Sequence, residues 1–588
     1  MMKHSTELHL GQILVNDGKL DPDDLEMALR EHRKTGERIG EILIKMNLVG
    51  VEDVLKAVAF QLSMPYVKLS EIKIPKEVIE KIPAKLVTHY NLIPVELNDG
   101  ILRVAVSDPL DIHTLDDLRM MLKMEVEPVV SAPKEIEEAI RSYYGIGAET
   151  VEEMVNEGQG NASLEVEAKE VEDIDEMAED ASIVRFVNQI VSEAFHDRAT
   201  DIHIEPLEKE LRIRYRIDGV LYEAAIPPAI RRFQNAIISR VKIMADMNIA
   251  ERRLPQDGKI KVKMGETDYD LRVSAVPTPY GESIAIRILS RDSELCTLDR
   301  LGFDEEHIRI LRELIKKPHG IILITGPTGS GKSTTLYAAL SEINSVDKKI
   351  ITIEDPIEYR IAGVMQIQVV PAIGLTFARI LRNLLRQDPD VMMVGEIRDQ
   401  ETAEITIRTA LTGHLVFSTI HTNDACGAVT RLLDMGIEPF LVSSSVEGLI
   451  AQRLVRVLCP ECKASYTPRE DLIERLNTRH EDITDATFYR PVGCESCRYT
   501  GYKGRTAVYE LVKMNESFRR LVVDREPANV LRREAIRWGM KPIRLDGWHK
   551  VKRGITTIDE VMRVTMEDEF DYYEEMLEEK QKMKKNPT

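Results

Sequence analysis

The sequence predicts a mixed α/β protein of several domains, one of them built on a parallel sheet, and three observations carry that prediction. The chain has 588 residues, more than a single hydrophobic core serves, which points to roughly three to five domains. Four apolar, β-prone runs, in 320–334, 349–359, 390–399 and 413–424, each end in polar residues, as strands do when both faces are buried and the chemistry sits at their carboxyl ends. A stretch at 145–181 carries thirteen Asp and Glu against one Lys. With no aromatic residue and little to bury, it reads as an acidic linker dividing the front of the chain from the rest.

Composition narrows the class of protein. The start, MMKHSTELHLGQIL, has no apolar run behind a basic patch, and no stretch of about 18 uncharged apolar residues occurs anywhere, so a soluble, cytoplasmic chain is expected. A net charge of −20 argues against tight binding to nucleic acid. Six cysteines are too few for a disulfide scaffold, and paired cysteines in a reducing compartment more often hold metal or do redox work.

In chain order, residues 1–65 contain a repeat with an offset of 29: HLGQILVNDGKLDPDDLEMALREH (9–32) overlays RIGEILIKMNLVGVEDVLKAVAFQ (38–61). Leu25, Ala28 and Leu29 match Val54, Ala57 and Val58 at helical spacing, which predicts two stacked helical hairpins. In 66–144, short strands such as ILRVAVSD alternate with helices such as TLDDLRMML, predicting a small α/β domain before the linker at 145–181. A further domain is expected over 182–300 and the parallel-sheet domain over 301–568, with a charged tail at 569–588.

The strongest chemical signal is Gly326-Pro327-Thr328-Gly329-Ser330-Gly331-Lys332-Ser333-Thr334, which follows an apolar strand and opens a helical stretch. That is a P-loop in its required context. Its glycines let backbone N–H groups wrap phosphates, Lys332 reaches the β and γ phosphates of ATP, and the Ser333 hydroxyl ligates Mg²⁺. Parallel strands bring their carboxyl ends to one edge, which gathers Lys332, Glu354, Glu358, Glu396 and His421. Glu396 closes its strand where an acid can hold Mg²⁺ through water or polarise the attacking water. Taken singly, each could be a satisfied surface group.

Cys459 and Cys462 pair with Cys494 and Cys497 as C-x2-C-x31-C-x2-C, the ligand arithmetic of a four-thiolate Zn²⁺ site within 459–508. His480 lies in the gap, so a three-cysteine site or a redox pair stays open. Cys296 and Cys426 stand alone and are expected to be buried thiols.

The boxes EDPIEY, VGEIRD and LTGHLVFSTIHT, with DIHIEP and RIRYRIDG upstream, resemble those of the secretion-superfamily ATPases that drive type II secretion and type IV pili, over nearly the whole chain. The resemblance implies a homohexamer in which a PAS-like domain, here 182–300, packs against a neighbour's RecA-like domain, here 301–568, with ATP in the cleft. The family pattern makes Glu396 the first candidate to activate water and Glu358 the second, with Glu354 placed to help hold Mg²⁺, and such a cleft requires an arginine finger opposite the γ-phosphate. Arg212, Arg214 and Arg216 sit at period-two spacing, and the resemblance favours Arg214 and Arg231, then Arg216. Arg379, Arg382 and Arg386 are candidate nucleotide or interface sensors, and His414 and His421 candidate relays of nucleotide state. The tetracysteine insert resembles the assembly branch and is unlike the retraction ATPases. The tandem repeat resembles a cyclic-di-GMP-binding domain through Arg38 and Gln61, but His9 and His32 replace the arginine and glutamine of its first copy. Histidine lacks arginine's bidentate grip on phosphate, so partner docking ranks above dinucleotide binding there. The implied partners are an inner-membrane platform protein and the cytoplasmic domain of a bitopic membrane protein, at the inner face of the cytoplasmic membrane, with no nucleic acid. The implied function is pseudopilus assembly in type II secretion, with type IV pilus extension as the alternative. A nucleic-acid translocase and a nucleotide-gated scaffold are the readings from other classes.

Overall fold

A computed structural model describes residues 9–160, 180–265, 267–290, 297–469, 472 and 486–565. Cys296, His480, most of the acidic stretch and the 569–588 tail lie outside them. The chain divides into two compact units, 1–261 with 271–288, and 262–270 with 289–588.

The first unit opens with the helices Leu10–Asn16, Pro22–Thr35, Ile39–Lys45 and Val51–Gln61. The repeat is physical: Leu25 packs so closely over Gly11 that an added Cβ would lie 2.3 Å from it, and Val54 sits likewise 3.0 Å over Gly40. The second pair repeats the first at an offset of 29 residues, and small residues there let the helices touch. A three-stranded sheet follows, Ile93–Asn98 antiparallel to Ile101–Val106, which is parallel to Glu125–Val130.

The reading of 145–181 as a linker needs correction at its start. Ala148–Gly160 is helical, and Ile146, Ala148, Val151 and Met154 are buried. Charge density disguised the helix because its apolar residues fall at helical intervals on one face. Its acids also have partners: Glu152 accepts the Ala84 and Lys85 N–H groups at 2.9 and 3.2 Å, and Glu153 pairs with Arg185 at 2.8 Å.

Helix Ala181–His196 then leads into a six-stranded sheet whose first four strands in spatial order are Val220–Glu223, Leu211–Ile217, Ala199–Pro206 and Gly281–Ser290, antiparallel neighbours throughout. Leu211, Ile213, Tyr215 and Ile217 are buried, which leaves Arg212, Arg214 and Arg216 together on the opposite face.

The second unit is organised by a seven-stranded sheet in the order Met365–Gln368, Ile350–Glu354, Val391–Val394, Leu415–Ile420, Gly320–Thr325, Val446–Leu458, Tyr502–Lys513. All pairings are parallel except the last. Ile321, Leu323, Met392 and Val394 enter one core cluster and Ile322, Ile324, Val391 and Met393 another. The sheet is therefore buried on both faces, and its carboxyl edge is where polar residues can gather.

Candidate active site

The P-loop strand Gly320–Thr325 turns through Gly326–Gly331 into helix Lys332–Ile343. Gly331 is the N-cap of that helix at φ +88°, and an added Cβ would meet the Gln452 amide nitrogen at 2.7 Å. At Gly326, with φ +148°, an added Cβ would lie 2.5 Å from the Gln452 carbonyl oxygen. Glycine is required at both positions by conformation and by space. The helix start points N–H groups and positive dipole into the loop, a ready anion site. The Lys332 ammonium donates to the Gly326 and Pro327 carbonyls at 2.8 and 3.0 Å. Burial pushes Lys332 down to about 8, with Glu396 working against that shift and Arg453 adding to it.

Glu396 follows the strand Val391–Val394 and is largely buried, with its side chain 13 % exposed. Arg398 reaches one carboxylate oxygen at 2.5 Å and His421 Nε2 the other at 3.3 Å. Lys332, Glu396 and His421 thus meet where three adjacent strands end, as parallel topology dictates. A carboxylate held from both sides beside a lysine ammonium is equipped to orient a water toward a phosphate.

Glu354 is 4 % exposed and is already engaged. It accepts from the Thr352 hydroxyl at 2.6 Å, from the Gln366 amide at 3.0 Å and from the Tyr337 hydroxyl. Tyr337 also accepts the Glu358 N–H at 3.3 Å. Burial, and then the Glu354 charge, raise the Tyr337 phenol well above its ordinary range. Glu354 is therefore anchored on the P-loop helix through Tyr337, which also takes up the Glu358 N–H.

His421 and His414 are separated by the length of a strand. His421 stands at the carboxyl edge of the sheet, whereas His414 precedes Leu415 at the opposite end, its Nδ1 3.0 Å from the Thr409 carbonyl. Arg379 donates to the Gly374 carbonyl at 3.2 Å, Arg382 pairs with Glu401, and Arg386 donates to the Arg382 carbonyl at 3.1 Å, all three on exposed surface.

In the first unit, Arg212 and Arg214 share Glu205 at 2.9 and 2.6 Å, Arg216 and Arg287 share Asp201 at 3.7 and 3.0 Å, and Arg231 donates to the Glu208 carbonyl. Glu223 stands opposite Arg214 on the next strand, so four guanidinium groups share this face with the carboxylates of Asp201, Glu205 and Glu223. Burial, with Arg216 and Arg214 adding to it and Asp201 opposing, lowers His203 below the ordinary imidazole range, so it adds no compensating or further charge near neutrality. Arg38 pairs with Asp108 at 2.8 Å, His32 is taken up by the Glu37 carbonyl at 2.5 Å, and Gln61 ends its helix half-buried.

The four insert cysteines converge, their sulfurs all within 4.8 Å of one another. Cys459–Cys494, Cys462–Cys497 and Cys494–Cys497 are 3.7, 3.8 and 3.8 Å apart. A tetrahedral Zn²⁺ with bonds of about 2.3 Å places its thiolates about 3.8 Å apart, so the residues fit the metal. Backbone N–H groups of Gly493, Cys494 and Gly501 donate to Cys462, Cys497 and Cys497 at 3.3, 3.1 and 3.3 Å, the outer support a thiolate site needs. A second cluster, Asp304, His307 and Asp546, is different. Lys541 and Lys550 already neutralise its carboxylates at 2.8 and 2.5 Å, so it is an internal ion network. Cys426 is fully buried, and burial raises its thiol well above the ordinary range.

Sequence reasoning passed over Tyr337, Arg398, Gln452 and Arg453. A signal existed for the last two: Gln-Arg interrupts the apolar strand Val446–Leu458 at a point buried beside the P-loop strand.

Fold and site together define a P-loop nucleoside triphosphatase. The chain belongs to the Type II/IV secretion system protein family, whose model matches residues 176–563, and an MshEN domain matches 62–150. It is 44 % identical over 567 residues to the type IV pilus assembly ATPase PilB of Myxococcus xanthus, covering 95 % of this chain and 99 % of that protein. Identity to the type II secretion system protein E of Xanthomonas campestris is 42 % over 570 residues, covering 96 % and 100 %. For the type II secretion system protein E of Aeromonas hydrophila it is 48 % over 460 residues, covering 78 % and 91 %. The resemblance read from the EDPIEY, VGEIRD and LTGHLVFSTIHT boxes is borne out, and the chain is an ATP-hydrolysing enzyme. Among the described residues no helix is long and apolar enough to cross a membrane.

Proposed function

We propose that this protein is the hexameric motor that drives pseudopilus assembly in type II secretion, working at the inner face of the cytoplasmic membrane. The observation that carries the motor is the convergence of Lys332, Glu396 and His421 at one sheet edge. Lys332 leaves the Gly326 and Pro327 carbonyls to meet the β and γ phosphates, and the loop's N–H groups wrap them. Ser333 would hold Mg²⁺, which neutralises developing phosphate charge when bound. Glu396, steadied by Arg398 and His421, orients the attacking water. The arginine-rich face of Arg212, Arg214, Arg216 and Arg287 suits a finger that a neighbouring subunit presents to the γ-phosphate, with Arg214 and Arg231 first. Hydrolysis between subunits then becomes relative movement of domains.

The tetracysteine insert supports the assembly branch, and Zn²⁺ held by Cys459, Cys462, Cys494 and Cys497 would supply folding energy to it. An inner-membrane platform protein and the cytoplasmic domain of a bitopic protein are the proposed partners. The MshEN match supports a nucleotide-sensing front end. Arg38 and Gln61 lie just before it, where cyclic-di-GMP binding ranks second to docking. Type IV pilus extension is the second reading, favoured by a PilB relative matched along 99 % of its length.

Two experiments test this. Glu396→Gln should retain ATP while losing at least about 100-fold in turnover, and Arg214→Ala should lower turnover more than ATP affinity; full turnover in both would refute the motor. Deleting the gene should abolish export of secreted enzymes, whereas loss of surface pili with secretion intact would establish the second reading.

A further inference from the structure

Strand Val446–Leu458 lies directly beside the P-loop strand, with Leu449, Ile450 and Ala451 in register with Leu323, Ile324 and Thr325. One residue further on, Gln452 is 1 % exposed. An amide buried this deeply is costly unless both of its ends are satisfied. Both are. Its nitrogen donates to the Ser330 carbonyl at 2.7 Å, and its oxygen accepts from the Thr335 hydroxyl at 2.8 Å.

Ser330 and Thr335 are the residues on either side of Gly331-Lys332-Ser333-Thr334, so one side chain grips the phosphate-binding turn at both ends. The Gln452 backbone also borders this loop, its carbonyl oxygen 2.5 Å from where a Cβ at Gly326 would stand. Its neighbour Arg453 ties the next loop to this one, donating to the Asn423 carbonyl at 2.6 Å. A P-loop otherwise has to be ordered by its ligand, and the ordering subtracts from affinity.

We propose that Gln452 is a positioning residue for ATP: it holds Gly331–Thr334 in the phosphate-receiving shape before nucleotide arrives. The assignment rests on the reading of Gly326–Thr334 as the phosphate cradle. Since the clamp shapes the free loop, its loss should appear in ATP affinity and KM, with kcat at saturating ATP largely preserved.

The test uses the full-length protein, equilibrium binding of a fluorescent ATP analogue and steady-state hydrolysis. Gln452→Met keeps the volume and removes both hydrogen bonds, and should weaken binding and raise KM about tenfold, with kcat within about twofold. Gln452→Glu should bind more weakly still, because it sets a carboxylate against the Ser330 carbonyl and beside the phosphates. Thr335→Val, which removes one of the two bonds and leaves Gln452 in place, should weaken binding about threefold, and combined with Gln452→Met should add nothing. This variant also decides the matter if Gln452→Met does not fold. Binding within twofold of wild type in Gln452→Met or Thr335→Val, or a fall in kcat with KM unchanged, overturns the assignment. Lys332→Ala separates the underlying reading: if it too binds the analogue normally, the cradle itself has been misplaced.

Discussion

Lys332 makes ATP binding pH-dependent in a way that can be worked out in advance. Its ammonium is held down to about 8, first by burial, with Arg453 contributing and Glu396 opposing. Arg398 and His421 both hold Glu396. Bound phosphates favour the charged lysine and return it to its ordinary high range. Free protein therefore presents a charged lysine in about nine molecules of ten at pH 7 and one in ten at pH 9. Affinity for a non-hydrolysable ATP analogue should fall about tenfold across that interval. At pH 8 binding should take up about half a proton. Titration calorimetry in two buffers of different ionisation heat counts that proton directly. Glu396→Gln removes the one charge that props the lysine up, so the fall should move to lower pH. Equal heats in both buffers, with affinity flat from pH 7 to 9, would refute the account of how burial and charge set this lysine.

Protein purified without chelator should contain about one zinc per chain by elemental analysis, and Cys494→Ser should lose it and lower the unfolding midpoint; metal-free protein of unchanged stability would remove the tetrathiolate site. Lys242 is fully buried, and its ammonium donates to both Glu282 oxygens, at 2.8 and 3.0 Å, and to the Glu251 carbonyl at 2.7 Å. Lys242→Met strands the Glu282 charge and should cost about 3–5 kcal/mol in thermal or denaturant unfolding, with Lys242→Met/Glu282→Leu recovering most of it; a single variant as stable as wild type would show that the pair is solvated.

What could be read in the sequence and what could not divide along a physical line. The parallel sheet was legible because each strand is apolar on both faces and ends in chemistry, a one-dimensional pattern that needs no partner to interpret. The cysteine pairs were legible for a similar reason: x2 spacing is a property of one turn, and only the joining of the two turns, now seen in sulfur separations of 3.7 and 3.8 Å, required the fold. Composition misled at 146–155, where charge density reads as disorder, although Ile146, Val151 and Met154 bury a face that composition averages away. His414 and His421 look equivalent as letters in one box, yet a strand of six residues carries them to opposite edges, and only one meets Glu396. Gln452 marks the limit of sequence reading most clearly. A polar residue inside a buried strand announces that some partner must exist, but its partners are Ser330 and Thr335, more than a hundred residues earlier. The prediction available from sequence is therefore the demand for satisfaction, and the structure supplies the partner. Because that partner is the phosphate loop itself, a residue without a motif of its own joins the nucleotide site on the strength of two hydrogen bonds.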